Sequence, residues 1–453
     1  MTAARAGTGA APPRRAIGPV RLGLLLGYVA GTSGLGLAGA PIVSRQVADD
    51  LAISTAQTAW VLALFSLGIA VMTPVFGRLA DLHGGRRVVG IASACALLGT
   101  SIVLLAPSLP VLLVGRFLQG GASSGLSIVA FALPAHRLDG AARAHALGIM
   151  TALAALTLGS GPLFGAAAEA LAGWRAALAL SVIMLLAAPA LARLAAPPLA
   201  GAEARLDLPG AGLVLAVGAG CSVLLQARTT HLSAPLIAAV AAITMGAAAT
   251  LTRHVRRAPN GFLPLTVVRN PVFVALSLGA AALMAGFLAM GFLAPLLLTD
   301  GVDRPALEVG VILLPAAFAA AATATAVGRL RARISAERIL AALGVAACGG
   351  MLVAGVGHGL APCVVVGSAA ATAGFAGAQV ALLDRLADLV PAGDRGIAIG
   401  VFNLIFVTGG AIGAAFAGAL VDATSLGTAV VGCAAVTALA VPAARVAASG
   451  AVR

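Results

Sequence analysis

The chain has 453 residues, of which 60% are apolar, 9% charged and 4% aromatic, and its mean hydropathy of +1.07 excludes a soluble globular fold. Its formal charge of +13 rests on 28 basic residues, all of them arginine. Without lysine there is no phosphate-cradling loop ending in Lys-Ser or Lys-Thr, and so no nucleotide-driven transport of that kind.

A helix needs about 20 mostly apolar residues to cross about 30 Å of hydrocarbon, and no strand-period alternation persists in this sequence. The chain reads as an all-α integral membrane protein. Spans are expected at residues 20–43, 57–77, 88–106, 109–133, 144–170 and 174–194, then a middle pair at 208–226 and 233–251. Six more follow at 271–299, 305–327, 337–357, 360–382, 395–421 and 425–445, making fourteen. The expected organisation is a tail (1–19), a six-helix half (20–195), a linker with two extra helices (196–270), a second six-helix half (271–446) and a tail (447–453).

With the N-terminus inside, the inner loops and tails hold 23 arginines, whereas the outer loops hold Arg45, Arg175, Arg228 and Arg304 against seven acids. Such asymmetry predicts a multi-pass protein of a bacterial cytoplasmic membrane with both termini cytoplasmic. The positive charge then reports topology and implies no nucleic-acid partner. Cys95, Cys221, Cys348, Cys363 and Cys433 stand far apart, without metal-ligand spacing. No span holds the nucleophile, metal cluster or carboxylate pair of an enzyme, and no cofactor is expected.

Between the second and third spans, residues 77–90 gather Arg78, Asp81, Arg86 and Arg87 among glycines. An offset of 251 brings Gly77, Arg78, Leu79 and Arg87 onto Gly328, Arg329, Leu330 and Arg338, and an offset of 252 brings Arg143, Gly148 and Gly161 onto Arg395, Gly400 and Gly413. Two six-span halves of one plan, with a binding site between them at mid-membrane, are a transporter architecture. The middle pair has no counterpart in this comparison.

The stretch 77–90 resembles the loop between helices two and three of the major facilitator superfamily, matching at Gly77, Leu79, Asp81, Gly85, Arg86 and Arg87, with Leu82 in place of a basic residue. The resemblance implies that Gly77, Asp81, Gly85, Arg86 and Arg87 latch the halves in the outward-open state; the same arginines also serve to set topology. "VGRFLQGGASSG", from 114, resembles the superfamily's fourth-helix motif at Arg116, Gln119 and Gly120. That implies a part for Arg116 in proton transfer, the alternative being an arginine that snorkels to the interface. "GIMTALAALTLGSGPLFGA" resembles the fifth-helix antiporter signature at Gly148, Gly161, Pro162 and Gly165, with Thr157 and Ala166 replacing glycines. It implies export by exchange. "LDLPGAGLVL" at 206 and "PLTVVRNPVF" at 264 resemble segments flanking the two extra helices of the fourteen-helix drug:proton antiporters, the EmrB/QacA-like branch.

That branch usually carries a coupling aspartate nine residues before a first-helix proline; counting back from Pro41 gives Thr32. No other acid lies deep in an expected span. Proton coupling needs a group whose pKa can cross the working pH, so the carrier is unidentified, with Glu308 at the start of the tenth span as the candidate. A cavity with Arg116 and without an acid is expected to take a neutral or weakly anionic hydrophobic molecule, and Thr32, Ser33, Gln119, Gln379 and Asn403 are its expected hydrogen-bonding groups. The expectation is a monomeric efflux transporter for a drug or metabolite, working by proton antiport and alternating access. A non-transporting sensor on the same fold and an exporter uncoupled from protons stand as alternatives.

Overall fold

A bilayer leaves an apolar chain little choice but helix, because each backbone N–H and C=O has to be satisfied within its own segment. The computed structural model describes residues 17–450 apart from 139, 196–206, 226, 228–231, 258–266, 268, 301, 303, 332 and 391–394, and all regular structure among them is helical. The first set comprises α1 (Pro19–Ala38), which runs through a 3-10 turn into α2 (Ser44–Asp50), then α3 (Ala59–His83), α4 (Gly85–Leu105), α5 (Leu109–Arg137), α6 (Gly140–Gly159), α7 (Gly161–Ala179) and α8 (Ala188–Leu194). A middle pair follows, α9 (Leu208–Leu225) and α10 (Ala234–Arg257). The second set is α11 (Pro271–Asp300), α12 (Ala306–Ile312), α13 (Leu314–Leu330), α14 (Ala336–Val356), α15 (Ala361–Asp388), α16 (Arg395–Ala423), α17 (Leu426–Ala438) and α18 (Ala440–Gly450). Prolines 19, 110, 162, 189, 315 and 362 sit in first turns, where their missing N–H is one the helix leaves unpaired anyway.

Twelve of the described helical stretches are long and apolar enough to cross a membrane, against the fourteen expected. Two more apolar helices fall short, His145–Gly159 and Gly212–Cys221, on the fifth and seventh expected spans. The expected fifth span, 144–170, is interrupted at Ser160, where α6 gives way to α7. The run Gly161–Leu194 is longer than one crossing requires and is broken at Ala172 (φ −148°, ψ 19°) and Gly173 (φ 78°, ψ 176°). Gly173 there occupies backbone space essentially reserved for glycine.

The internal repeat reappears as packing. A Cβ built on Gly115 would lie 2.9 Å from the Gly99 carbonyl oxygen, and one on Gly367 would lie 3.1 Å from that of Gly350. These four positions are related by the same offsets of 251 and 252. In each set the fourth membrane helix (α5, α15) packs on the second and third, and the first (α1, α11) on the fifth (α6, α16). Of the middle pair, α9 lies against α3 and α16, one helix from each set, with Gly218 admitting Leu67 of α3, and α10 packs on α9.

Small residues let these helices touch. Gly23, Gly27 and Gly31 recur every fourth residue on α1, and added Cβ atoms would come within 2.7 Å of the Ala146 oxygen, 2.8 Å of Leu153 Cβ and 2.6 Å of Thr157 Cβ on α6. Lipid offers apolar side chains as good a surrounding as protein does, so such close backbone approach supplies the association energy. At the arginine-rich end, α3 turns into α4 through Gly84 (φ 81°, ψ 151°). At the opposite end Asp50 accepts from Trp174 Nε1 at 3.1 Å and Arg175 Nη1 at 2.9 Å, while Arg175 Nη2 donates to the Ala106 carbonyl at 3.1 Å.

Candidate functional site

The two helix sets enclose a cavity with an empty volume of about 1060 Å³, open space at its mouth included. Its wall on the first set comes from α1, α3, α5 and α6 and carries hydroxyls: Ser33, Thr73, Ser123, Ser124, Ser127 and Thr151. The wall on the second set comes from α11, α15 and α16 and is apolar and aromatic, apart from Gln379 and Asn403. Phe287 stacks on Phe375 with centroids 4.5 Å apart, Phe375 on Phe406 at 5.7 Å, and Phe406 on Phe402 at 5.2 Å. Among the described residues that line it, none is ionisable.

Helical geometry sets the polarity of the hydroxyl wall. Ser and Thr within a helix turn their protons back onto carbonyls of the preceding turn. Thr73 donates to Ile69 at 2.6 Å, Ser124 to Gly121 at 2.8 Å and Thr151 to Leu147, while Ser123 donates across to the Ser33 carbonyl at 3.1 Å. Ser33 donates to Ala30 at 2.9 Å or shares a hydrogen bond with Ser127 at 3.1 Å. With those protons spent, the oxygens offer mainly lone pairs to the cavity. The amides of Gln379 and Asn403 are different: no described residue hydrogen-bonds to either side chain, which leaves their donors and acceptors for an occupant.

Of the expected cavity residues, Ser33, Gln379 and Asn403 line it. Thr32 is buried outside it, its hydroxyl donating to the Tyr28 carbonyl at 2.6 Å. Arg116 is also outside the lining and fully buried. Its Nε donates to the Val61 carbonyl at 3.2 Å, Nη1 to Gln119 Oε1 at 3.0 Å and to the Leu178 carbonyl at 3.3 Å, and Nη2 to the Gly36 carbonyl. The guanidinium also sits 4.4 Å from the Phe65 ring centroid. Gln119 passes the chain on to Thr100 Oγ1 at 3.2 Å. Neutral acceptors from α1, α3 and α7 thus surround this cation, and neither a carboxylate nor the interface is among its partners. Glu308 lies in the first turn of α12, half-exposed, and pairs with Arg304 at 2.8 Å. It is far from deep.

The remaining motif residues divide by neighbourhood. A Cβ on Gly161 would lie 2.3 Å from Ala38 Cβ, one on Gly165 would lie 2.7 Å from the Gly39 oxygen, and Thr157 fills the notch at Gly31, so these three bring α6 and α7 onto α1. Pro162 lines a smaller chamber beside the main cavity. Gly148 is exposed and faces open space. In the 77–90 stretch Arg86 and Arg87 are exposed, Gly85 closes on Ala195 and Val129, and Gly77 has only Ile128 within 4 Å. The positive φ of that turn belongs to Gly84, which the motif reading passes over. The side chains of Arg78 and Asp81 lie outside the described residues.

Two features of the site escape the sequence reading. The phenylalanine ladder draws on three helices, and in a chain only 4% aromatic no local signal announces it. The α1 stripe was legible as glycines four residues apart in "GLLLGYVAG".

The ends of the molecule are unequal. Away from the arginine-rich end, a Cβ on Gly159 of α6 would lie 2.5 Å from Ala317 Cα of α13, and one on Gly310 of α12 would lie 2.7 Å from Leu163 Cα of α7. Toward the arginine-rich end, Gly148 and Gly77 have space around them. The two sets therefore meet backbone to backbone at the end away from the arginines.

Such a helix array around a central cavity defines a multi-pass membrane transporter. The Major Facilitator Superfamily model matches residues 24–386, and the chain belongs to that superfamily. It is 27% identical over 332 residues to the uncharacterized transporter YebQ of Escherichia coli, covering 72% of each chain. It is 29% identical over 375 residues to the multidrug resistance protein Stp of Mycobacterium tuberculosis, covering 80% of this chain and 68% of that one. In fold it is similar to the human organic anion transporter MFSD10 (TETRAN), with a TM-score of 0.59 over 96% of this chain and all of that one at 16% identity.

Proposed function

We propose that this protein exports a neutral, hydrophobic small molecule carrying hydrogen-bond donors, by rocking its two helix sets about the central cavity. One observation carries the reading: among the described residues of the cavity lining there is no ionisable side chain. A permanent cation would enter without a counter-carboxylate, and an anion would meet lone pairs with only two amides to offset them. Either would forfeit several kcal/mol of hydration. A neutral solute buries its apolar surface on the phenylalanine wall, at roughly 25 cal/mol per Å², and places its donors on the serines and the amides. The weakly anionic substrate expected from Arg116 loses its support, because the guanidinium is spent on backbone carbonyls. Export as the direction rests on the likeness to Stp, a multidrug resistance protein, and on the fifth-helix motif.

We further infer fourteen crossings arranged as two six-helix halves and an added pair, in the manner of the EmrB/QacA-like branch. The break at Ala172–Gly173 divides the Gly161–Leu194 run into the end of a fifth crossing and a sixth, and α9 pairs with α10 as a crossing of its own. The arginine-rich end and both termini lie on the cytoplasmic side of the plasma membrane by the charge asymmetry. The close contacts at the opposite end make the conformation an inward-open one, and the working unit is a monomer.

Proton exchange is the proposed energy source, Glu308 and Arg116 being poorly placed to carry the proton into the cavity. An uncoupled exporter is the second reading, favoured by a cavity lining without an ionisable side chain among the described residues. The test is accumulation of a mixed panel of neutral, anionic and cationic lipophiles in an efflux-deficient bacterial host, with and without a protonophore. Lower accumulation of neutral members, abolished by the protonophore, supports proton-driven export; reduction that survives it supports the second reading. Preferential export of cations refutes the substrate class, and no change in any compound favours a sensor.

A further inference from the structure

A smaller chamber, with an empty volume of about 510 Å³, adjoins the main cavity on its tightly closed side. The two share Leu37 of α1, Leu158 of α6 and Phe287 of α11. These three side chains form the partition between them. On the far side the described lining residues are apolar except for Ser368 and Thr372, and Thr372 spends its proton on the Ser368 carbonyl at 2.6 Å. The chamber also exposes an open wall at Gly291, where an added Cβ would meet nothing within 4 Å.

Two compartments of opposite character meet end to end: hydroxyls and free amides in the first, almost pure hydrocarbon in the second. From Met284 to Gly291 the path along α11 rises about 10 Å, at about 1.5 Å per residue. From the structure we infer that the substrate is an elongated neutral amphiphile, whose hydrogen-bonding head rests between the serine wall and Gln379 and Asn403 and whose alkyl tail passes Leu37, Leu158 and Phe287 into the second chamber. A short apolar solute would leave that chamber empty, whereas a tail gains burial from a wall with no polar demand to satisfy. The side chains of leucine and phenylalanine can swing aside by rotamer change, so the partition passes a tail without opening the closed end. This inference deepens the proposed export of a neutral solute and rests on it.

The test uses the full chain in lipid nanodiscs and two photoprobes, hexyl and decyl ethers of glycerol, each with a diazirine at the tail end, followed by mapping of the labelled peptides. The decyl probe is expected to label residues 288–295 or 368–372, and the hexyl probe the first chamber around 123–131 or 375–379. Gly291→Leu fills the second chamber without a clash at its Cβ and is expected to cut decyl labelling there at least fivefold while sparing hexyl labelling. Hexyl labelling of the first chamber with no decyl labelling of the second, or decyl labelling untouched by Gly291→Leu, overturns the two-chamber site and leaves the neutral-solute cavity standing. Labelling by neither probe inside either chamber overturns both.

Discussion

Arg116 shows how a residue type singled out for chemistry can be spent on architecture. An arginine in hydrocarbon costs about 2.5–3.5 kcal/mol on insertion scales, and here the cost is offset by four hydrogen bonds, three that join α5 to α1, α3 and α7 and one to Gln119 within α5. Lysine keeps the charge and loses the planar fork. Arg116→Lys should therefore lower stability by about 2 kcal/mol, seen as a lower unfolding temperature in detergent, while the pH profile of transport per folded molecule stays unchanged. A shifted profile would restore Arg116 to proton movement. Asn403 stands in the opposite situation, with its amide free in the cavity. Asn403→Asp places a carboxylate on the lining at almost no change in volume, and the exported panel should then extend to monovalent lipophilic cations. Asn403→Leu should weaken neutral substrates by about 1 kcal/mol, roughly fivefold in concentration dependence.

Between helices, glycines of equal rank in a motif have unequal duties. Gly27 meets Leu153 at once, and Gly148 meets open space. Gly27→Val should cost about 1–3 kcal/mol through overpacking of α1 on α6, whereas Gly148→Ala should raise stability by up to about 1 kcal/mol through helix propensity; thermal unfolding of the two variants side by side checks both signs. Gly84 is demanding in another way, since its φ of 81° with ψ of 151° is closed to side chains. Gly84→Ala should cost about 1–3 kcal/mol, measurable in the same assay, and more than Gly77→Ala, which meets only Ile128 at 3.8 Å.

For the whole molecule, the contacts that matter to transport lie where the sets touch at the end away from the arginines. Interfaces of this kind are bistable, so a wedge shifts a population instead of bending the protein. Gly159→Leu would drive a side chain into Ala317, and Gly310→Leu one into Leu163. Each variant should lengthen spin-label distances between the two sets at that end and shorten them at the arginine-rich end. Unchanged distance distributions would mean that these contacts do not hold the closed end.

Much of this was written locally. Helix and membrane residence follow from hydropathy, because a crossing segment has to satisfy its backbone alone; the count of fourteen did not, since twelve described stretches are long and apolar enough to cross. The duplicated plan followed from an offset, and it returns in three dimensions at Gly99–Gly115 and Gly350–Gly367. Ser33, Gln379 and Asn403 were legible as cavity groups because they lie on helices that face the centre. What only the tertiary structure decided is what each polar or aromatic side chain faces. Thr32 and Arg116 turn to backbone acceptors brought by their own or neighbouring helices, and Phe287, Phe375 and Phe406 become one surface although 88 and 31 residues separate them in turn. The reason is physical: hydropathy sums over a segment and records that it is buried in the bilayer. Whether a group on it meets a carbonyl, a ring or an open cavity depends on helix rotation and contact, which small residues far apart in the chain determine together.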